Sequence, residues 1–387
     1  MVPAWRIFLL GVAALSATAS ARAQGFVITY GGQLSEEAVG VALSSSGFRV
    51  ATRRFMGQAA GHQAHMLQMS STGAQGSWLQ LPGSDGRAFV QAMAEGTSGS
   101  AFVAGSAFPA GKSHHDGFVA KLDGDGGLLW HTRPSLDGDQ QYFAVRGMPD
   151  GGCIAAGVRT IGEGHDAWIT RFSAFGLVQW HQAITDFADV EAHGITVQGT
   201  DVILTGRQLN FGGSTDAWIA RLNLSGDVIW TSSWGGIRNE TGRSVAAIGP
   251  GAFVLAGTTN SDVPYDVTEA RYKDHIYLVA FDLNGDSLWT RAIGDTLFDR
   301  RCFAMDLAPN GDLLLAGERA TIQGSSDAIA CRISPTGTWI WERSWDLGQQ
   351  DRLQAIRALP DGFIASGRSF GAASQQVLVL RRDPNGF

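Results

Sequence analysis

Cysteine is scarce in this sequence. The three cysteines are Cys153, Cys302 and Cys331. An odd and small number in a chain of 387 residues does not make a disulfide framework, and their spacing matches no zinc motif. We therefore expect three free thiols that fill strands as small apolar side chains.

Lysine is also scarce, and long apolar runs are missing. The lysines are Lys112, Lys121 and Lys273, and the 29 Lys and Arg residues are outnumbered by 36 Asp and Glu residues. Without a clustered basic stripe, the sequence excludes nucleic acid as a partner. No run approaches the roughly 18 apolar residues of a membrane-spanning helix, so we expect no membrane span.

The N-terminus has the pattern of a secretory signal peptide. Arg6 supplies the charged start, residues 7–15 form an apolar core, and Ala21-Arg22-Ala23 is a small-x-small cleavage site. We therefore predict a signal peptide over residues 1–23 and a single mature domain over residues 24–387. The mature protein is expected in the periplasm or outside the cell, as a monomer.

What the sequence does contain is a repeat of about 50 residues. Each copy begins at an aspartate, continues as an apolar strand and a Gly-bearing turn, and ends at a tryptophan. The copies begin at Asp116, Asp166, Asp216, Asp274 and Asp327 and end at Trp130, Trp180, Trp230, Trp289 and Trp341. Such self-similarity predicts an array of units that bury their faces on one another.

Within one period, four short strand-like segments alternate with tight turns and longer loops, which is typical of an antiparallel meander. The first segment is rich in small residues, so we place it innermost in a propeller blade. The second segment ends at a recurrent glycine, which indicates a bulge or a close backbone approach. First segments lie near Ala38, Ala88, Phe143, Glu191, Ser244, Cys302 and Leu353.

The last unit lacks an outer strand at the C-terminal end of the sequence. Residues 25–32 read like the outer strand of an earlier copy, with Tyr30 matching Trp234. We therefore predict an all-β, seven-bladed β-propeller of four-stranded antiparallel blades. Its ring is closed by pairing the N-terminal strand with residues 377–381, which removes two free edges.

These units resemble the repeats of exported bacterial β-propellers, whose copies read D-x-W, then L-D-x-x-G-x-x-x-W, then W-G-G. The resemblance covers nearly all of residues 25–387, and the best copies begin at Asp166 and Asp216. The units are more distantly similar to the tryptophan-docked blades of quinoprotein dehydrogenases. The resemblance implies an exported propeller from a group that mostly has no assigned function.

Candidate functional residues lie where the repeat departs from its own pattern. The strand order places the loops between strands two and three, and those leading to the next blade, on one face, which we call the long-loop face. The opposite face has only tight turns and is the tight-turn face. Binding groups are expected on the long-loop face. The candidates are Arg87, Asp139, Glu191, Arg243, Tyr265, Tyr272, Asp299, Arg301, Asp351 and Arg352.

Two interpretations of the charged candidates stay open, namely salt bridges between adjacent blades and a polar ligand site. The repeated aspartates, such as Asp166 and Asp216, are expected to accept backbone N–H bonds at loop mouths. The repeated tryptophans are expected to pack blade on blade. We predict no cofactor. The alternative of a bound divalent cation stays open, because His114, His115 and His165 lie close in sequence to aspartates that could bind it with them.

Linear catalytic signatures are absent, because the sequence has no nucleophile elbow, no metallohydrolase spacing and no Gly-rich phosphate loop. We therefore predict a binding or scaffold protein rather than an enzyme. Its long-loop face would bind a polysaccharide, a peptide or an envelope protein. The alternative is a hydrolase or lyase acting on glycans, with an acid/base pair drawn from Asp139, Glu191 and Asp299.

Overall fold

The computed structural model describes residues 25–32, 35–57, 61–81, 87–109, 113–134, 136–185, 189–261, 263–320, 324–371 and 374–387. The signal peptide predicted over residues 1–23 lies outside these described residues. Within them the chain forms β-strands, turns and loops, with one short 3-10 turn at Thr97–Gly99. In the described part of the chain, no helix is long and apolar enough to cross a membrane.

The strands follow one another with tight turns and longer loops in alternation. In chain order they are β1 (Phe26–Tyr30), β2 (Glu36–Ser44), β3 (Gly47–Phe55), β4 (His62–Ser70), β5 (Gln75–Gln80), β6 (Arg87–Glu95), β7 (Ala101–Phe108), β8 (Asp116–Leu122), β9 (Leu128–Thr132), β10 (Asp139–Gly147), β11 (Cys153–Ile161), β12 (Gly164–Phe172), β13 (Val178–Ile184), β14 (Val190–Gln198) and β15 (Asp201–Leu209). They continue as β16 (Thr215–Asn223), β17 (Val228–Trp234), β18 (Glu240–Gly249), β19 (Ala252–Thr259), β20 (Tyr265–Asp266), β21 (Arg271–Tyr272), β22 (His275–Asp282), β23 (Ser287–Ile293), β24 (Asp299–Leu307), β25 (Leu313–Ala320), β26 (Ser326–Ile333), β27 (Trp339–Trp345), β28 (Arg352–Leu359), β29 (Gly362–Phe370) and β30 (Gln375–Arg382).

These strands form seven four-stranded antiparallel sheets and one small hairpin. Blades one to four are β2–β5, β6–β9, β10–β13 and β14–β17. Blade five is β18, β19, β22 and β23, blade six is β24–β27, and blade seven is β28–β30 with β1. The first strand of each blade contacts the first strand of the next, and β28 contacts β2. The predicted fold class, a seven-bladed β-propeller, is confirmed.

The ring closes through the N-terminal strand, as predicted. β1 pairs with β30 in a register that runs from Phe26 opposite Arg381 to Tyr30 opposite Val377. Tyr30 is buried, and its hydroxyl donates a hydrogen bond to the carbonyl oxygen of Gly73 in blade one. The strand therefore completes blade seven and covers an edge of β30 that would otherwise be free to pair with another chain.

The repeated tryptophans on the fourth strands lie at the seams between blades. Nε1 of Trp180 donates a hydrogen bond to the carbonyl oxygen of Leu224 in the next blade at 3.0 Å. A Cβ on Gly226, in the same turn, would lie 3.0 Å from the Trp180 ring, and the glycine has a φ of +91°. Equivalent donor and acceptor pairs are Trp130 with Ala174 and Trp230 with Leu283. Each of these three rings thus contributes apolar contact area and a hydrogen-bond donor to the next blade.

Every first strand contains a β-bulge at the same level. In blade four, for example, Ala192 of the first strand pairs with Gly206 of the second, and Gly194 pairs with Thr205, so His193 between them is the extra residue. The other six first strands have the same shift in register. We call the seven bulged residues the bulge ring. Its members are Val39, Gln91, Phe143, His193, Arg243, Phe303 and Gln354.

The recurrent glycine of strand two lies directly against this bulge. At Gly206 a Cβ would collide with the carbonyl oxygen of Glu191, the residue that precedes Ala192 opposite the glycine. The other glycines with the same clash are Gly105, Gly157, Gly257, Gly317 and Gly367. The interpretation of this glycine as a point of close backbone approach is confirmed in blades two to seven. Blade one has Thr52 at this position.

The expectation for the repeated aspartates is wrong for Asp166 and Asp216. Neither accepts a backbone N–H bond from any residue that the structure describes. That role falls to residues at or just before the first strand of the following blade, where side-chain oxygens can satisfy loop N–H groups. The acceptor and donor pairs are Asp139 with His115, Asp189 with His165, Asn239 with Thr215 and Asp299 with Asp274.

The insertion in blade five forms the hairpin β20–β21. The rings of Tyr265 and Tyr272 face each other with centroids 4.9 Å apart. Beneath them Lys273 is fully buried and forms ion pairs with Asp266, at 3.3 Å, and with Glu269. The insertion is therefore an ordered hairpin with a charged base, and Tyr265 stays 47% exposed.

The three cysteines are free and buried, as predicted from their number. Burial raises the pKa of Cys302 to about 12. Burial likewise raises the pKa of Cys153 and Cys331. The thiols are therefore protonated at neutral pH and serve as small apolar side chains.

Candidate functional site

A cavity on the ring axis is lined by the first strands of all seven blades. Its volume is about 1030 Å³, at the upper end of the roughly 300–1,000 Å³ of ligand sites. The lining extends from Glu191, near the start of β14, to Glu95 and Arg357, near the ends of β6 and β28. We call this cavity the axial channel; strand starts lie toward the long-loop face and strand ends toward the tight-turn face.

All seven members of the bulge ring line the axial channel. A bulge turns the side chain of its extra residue away from the regular alternation of the strand, so this level carries polar, aromatic and charged groups side by side. The ring of Phe143 packs edge-on against His193, with centroids 5.4 Å apart. Phe303 lies 5.5 Å below the guanidinium of Arg352.

Two further levels follow the bulge ring along the first strands. The residue after each bulge is small in all seven blades, namely Gly40, Ala92, Ala144, Gly194, Ser244, Ala304 and Ala355. The next residue is apolar, namely Val41, Met93, Val145, Ile195, Val245, Met305 and Ile356. A Cβ on Gly40 would approach Met93 to 2.5 Å, so small residues let neighbouring first strands pack closely.

At the long-loop end, a chain of polar contacts joins blade four to blade five. Arg207 holds Glu191 through two hydrogen bonds of 2.7 and 3.0 Å. Nε2 of His193 lies 2.9 Å from Oε2 of Glu191, and Nδ1 of His193 lies 3.3 Å from Nη1 of Arg243. Arg243 can only donate, so Nδ1 accepts and the proton sits on Nε2, facing Glu191.

The environment fixes the charges along this chain. Burial lowers the pKa of His193 to about 4, with the Arg243 charge acting in the same direction and Glu191 opposing both. Burial would raise the pKa of Glu191, but hydrogen bonds from His193 and Arg207 hold it well below its usual range. At neutral pH the imidazole is therefore neutral and the carboxylate is ionised.

Among the residues that line this end of the channel, arginines outnumber carboxylates. Arg207, Arg243 and Arg352 line it beside Glu191; Arg207 pairs with Glu191, and Arg352 pairs with Glu37. Arg243 forms no ion pair with any residue in the described ranges. Desolvation and the charges of Arg207 and Arg352 lower its pKa, and the Glu191 carboxylate opposes this shift.

The tight-turn end of the channel carries a second charged group. Arg357 of blade seven pairs with Glu95 of blade two at 2.8 Å and with Asp306 of blade six at 3.0 Å. The pair with Glu95 therefore links two blades that are not neighbours in the ring, whereas the pair with Asp306 links adjacent blades. Arg146, on β10, also lines the channel but forms no hydrogen bond or ion pair within the described part of the chain.

Of the ten candidates from the sequence, three line the axial channel. These are Glu191, Arg243 and Arg352. Arg352 is paired with Glu37 at 2.5 Å, across the seam between blades seven and one. Of the two arginines, Arg352 has a carboxylate partner, and Arg243 has none among the described residues.

The other seven candidates lie on the long-loop face away from the channel lining. Their contacts are Arg87 beside Gly61, Asp139 with His115, Asp299 with Arg271, Arg301 with Asp274 and Glu318, Asp351 with the N–H groups of Leu347 and Gly348, Tyr265 with Tyr272, and Tyr272 with Arg238. The interpretation as salt bridges thus describes Arg301 and Asp299, whereas Arg243 does not fit it.

Sequence reasoning missed His193, Arg207, Arg146 and most of the bulge ring. The bulge itself leaves no composition signal, because it is an offset in pairing between two strands. One signal was available: aligning the seven first strands on their small residue places five different residue types, Val, Gln, Phe, His and Arg, before it. The residue at that position varies between blades, whereas the residue that follows it is small in every blade. Such a variable position within a repeat is a candidate for function.

No group of three or more His, Cys, Asp and Glu side chains in the described ranges is arranged to hold a metal ion. His115 lies 3.5 Å from Asp139, His165 lies 3.6 Å from Glu191, and His114 lies 3.5 Å from Asp116. These histidines therefore form separate pairs with carboxylates.

No family model matches this chain, and no curated protein matches it. Solved structures share its fold at low identity. The periplasmic gluconolactonase PpgL of Pseudomonas aeruginosa has a TM-score of 0.52 and 14% identity, over 92% of this chain and 94% of that chain. A putative 6-phosphogluconolactonase from Bacteroides uniformis has a TM-score of 0.49 and 11% identity, over 92% and 94%.

The β-propeller domain of the Trilobed protease from Pyrococcus furiosus has a TM-score of 0.49 and 7% identity, over 90% of this chain and 95% of that chain. At 14% identity the likeness to the periplasmic gluconolactonase supports the propeller fold and carries no activity across. The resemblance of the repeats to exported bacterial propellers and to quinoprotein blades stays a prediction.

Proposed function

We propose that this propeller binds an organic carboxylate at the long-loop end of its axial channel, with Arg243 as the anchor. The observation that carries the proposal is the state of Arg243. It lines the channel, keeps accessible surface there, and has no carboxylate partner among the described residues. Because a planar guanidinium matches a carboxylate with two parallel hydrogen bonds, an anionic ligand would complete its bonding.

The surroundings of Arg243 support this role. His193 accepts one N–H of the guanidinium and so orients it, while Arg207 and Arg352 add positive charge nearby. Phe143 and Phe303 supply aromatic surface at the same level. A few oriented polar groups among aromatic and small residues are typical of small-molecule sites. The ligand is a free acid or the acidic unit of a polymer, which share this chemistry.

Binding is favoured over hydrolysis by the state of the carboxylates. A glycoside hydrolase needs one carboxyl group kept protonated by a raised pKa. Glu191 instead has a lowered pKa because His193 and Arg207 bond to its ionised form. Asp139 and Asp299, the other members of the alternative acid/base pair, do not line the channel.

Calorimetric titration with galacturonate and with galactose tests the proposal, because the two sugars differ in a carboxylate. We expect the wild type to bind galacturonate and not galactose. Arg243→Gln should weaken galacturonate binding about 10-fold or more, since a hydrogen bond to a charged group contributes about 1.5–3 kcal/mol. Arg291→Gln, at an exposed arginine on the outer strand β23, is the matched control and should bind as the wild type does.

Equal heats for both sugars, no binding of either, or full affinity in Arg243→Gln would each contradict the proposal. Melting temperatures of the variants, measured in parallel, separate a loss of binding from a loss of folding.

We also propose that the protein acts after export, because its first residues have the signal-peptide pattern given above. The intact mass of protein purified from its native host tests this. Cleavage after Ala23 would support export, and a mass that retains Met1 would contradict it.

A further inference from the structure

Arg146 lies in the same channel as Arg243 but toward the other face. It is the eighth residue of β10, whereas Arg243 is the fourth residue of β18. Its side chain is exposed to the channel, and within the described ranges it has no hydrogen bond or ion pair. A second positive group with free donors therefore faces the ligand space.

The carboxylates at this level are already engaged. Glu95 accepts hydrogen bonds from Arg357 and from the backbone N–H of Leu43. Asp306 pairs with Arg357 and accepts the backbone N–H of Ala358. Neither carboxylate bonds to Arg146, whose pKa is lowered by partial desolvation and by the Arg357 charge, while the charges of Asp306 and Glu95 oppose this shift. Arg146 thus has no direct carboxylate partner among the described residues, as is the case for Arg243.

The two arginines are separated along the channel by a known number of residues. Arg146 is three residues beyond the bulge-ring residue Phe143 of its own strand, and Arg243 is in the bulge ring. At about 3.3 Å per residue, three residues span about 10 Å along a strand. The two strands also belong to different blades, three and five, so the backbone positions of the two arginines lie at least about 10 Å apart.

The space between the arginines suits an extended molecule. Small residues such as Gly194 and Ala144 follow the bulge ring, and apolar residues such as Ile195 and Val145 come next. The cavity volume of about 1030 Å³ exceeds what one small acid fills. This lining is complementary to a ligand that has a polar group at each end and an uncharged segment between them.

We propose, building on the carboxylate site proposed above, that the ligand is an elongated dianion whose two acidic groups bind Arg243 and Arg146 at opposite ends of the axial channel. Two such contacts on one molecule make the second binding event intramolecular, so affinity rises only once the ligand spans both sites. Ligand length is therefore a determinant of specificity, because only a ligand long enough to contact Arg146 as well as Arg243 gains affinity from the second contact.

The test is a titration with linear dicarboxylates from malonate to dodecanedioate, each paired with the monocarboxylate of equal carbon number. For the wild type we expect similar affinity within short pairs, and at least 10-fold tighter binding of the dicarboxylate within long pairs. In Arg146→Gln that gain should vanish while galacturonate affinity is unchanged. Arg146→Lys, which keeps the charge, should retain part of the gain, and Arg291→Gln should retain all of it.

The outcomes separate the two proposals. If galacturonate and the monocarboxylates bind but long dicarboxylates bind no tighter, or if Arg146→Gln keeps the gain, the dianion proposal is overturned and the carboxylate site stands. If no carboxylate binds the wild type, the carboxylate site itself fails, and the dianion proposal fails with it.

Discussion

Nδ1 of His193 lies 3.3 Å from Nη1 of Arg243, so a neutral imidazole orients the guanidinium. On its other side the same ring donates to Glu191. The contact requires an unprotonated Nδ1, because two donors cannot bond to each other. The protonation of one histidine is thereby coupled to the geometry of the proposed anchor.

Acid should destabilise the protein through His193. Its pKa is about 4 in the folded chain and 6.5 in a model peptide, so the unfolded chain binds a proton first as the pH falls. The contribution of His193 is complete above about pH 6.5 and is lost progressively toward pH 4, by up to about 1.4 kcal/mol per pH unit. Urea unfolding at several pH values measures this slope.

His193→Gln should reduce the pH dependence of the free energy of unfolding between pH 6.5 and 4 by the contribution of one titrating histidine, because glutamine does not titrate. The other histidines keep their own contributions in both proteins, so the comparison isolates position 193. Parallel curves for the variant and the wild type would show that this histidine is not held neutral by its surroundings.

The recurrent glycine should be intolerant of a side chain. In Gly206→Ala the new methyl group would meet the carbonyl oxygen of Glu191 at the bulge, and relief of such overpacking costs about 1–3 kcal/mol. Gly212→Ala, in the loop of the same blade, meets nothing within 4 Å and is the control. Thermal melting should show a drop for the first variant only. Equal melting temperatures would mean that the bulge relaxes freely.

The closing strand should matter for both stability and solubility. Deletion of residues 25–31 removes β1 and uncovers β30, whose backbone groups would then be open to pairing with other chains. We expect a lower melting temperature and concentration-dependent association in light scattering. A deletion variant that stays monomeric and melts as the full chain does would place the closure elsewhere.

The sequence was sufficient to predict the fold because the repeat is a property of the chain itself. The match of Tyr30 to Trp234 placed the closing strand, and the structure has Tyr30 opposite Val377 just as Trp234 is opposite Ala217. Periodic apolar patterns and Gly-bearing turns are local, and each blade repeats them. The strand and turn pattern of one blade is a weak indication of the fold, but its recurrence in seven blades predicts the propeller.

The candidate site was predicted only in part, because it depends on contacts between blades. Arg243 and Arg301 look alike in the sequence, yet Arg301 finds Asp274 and Glu318 while Arg243 finds His193. Which arginine is neutralised depends on side chains far away in the chain. Arg146 was not predicted, because it lies toward the tight-turn face and binding groups were expected on the long-loop face.

A crystal of this protein soaked with galacturonate would test the central claim most directly. We expect the sugar in the axial channel, with its carboxylate within hydrogen-bonding distance, about 2.7–2.9 Å, of the Arg243 guanidinium. A sugar bound only at the hairpin of Tyr265 and Tyr272 or at the outer loops, with Arg243 still bonded to His193 alone, would contradict it.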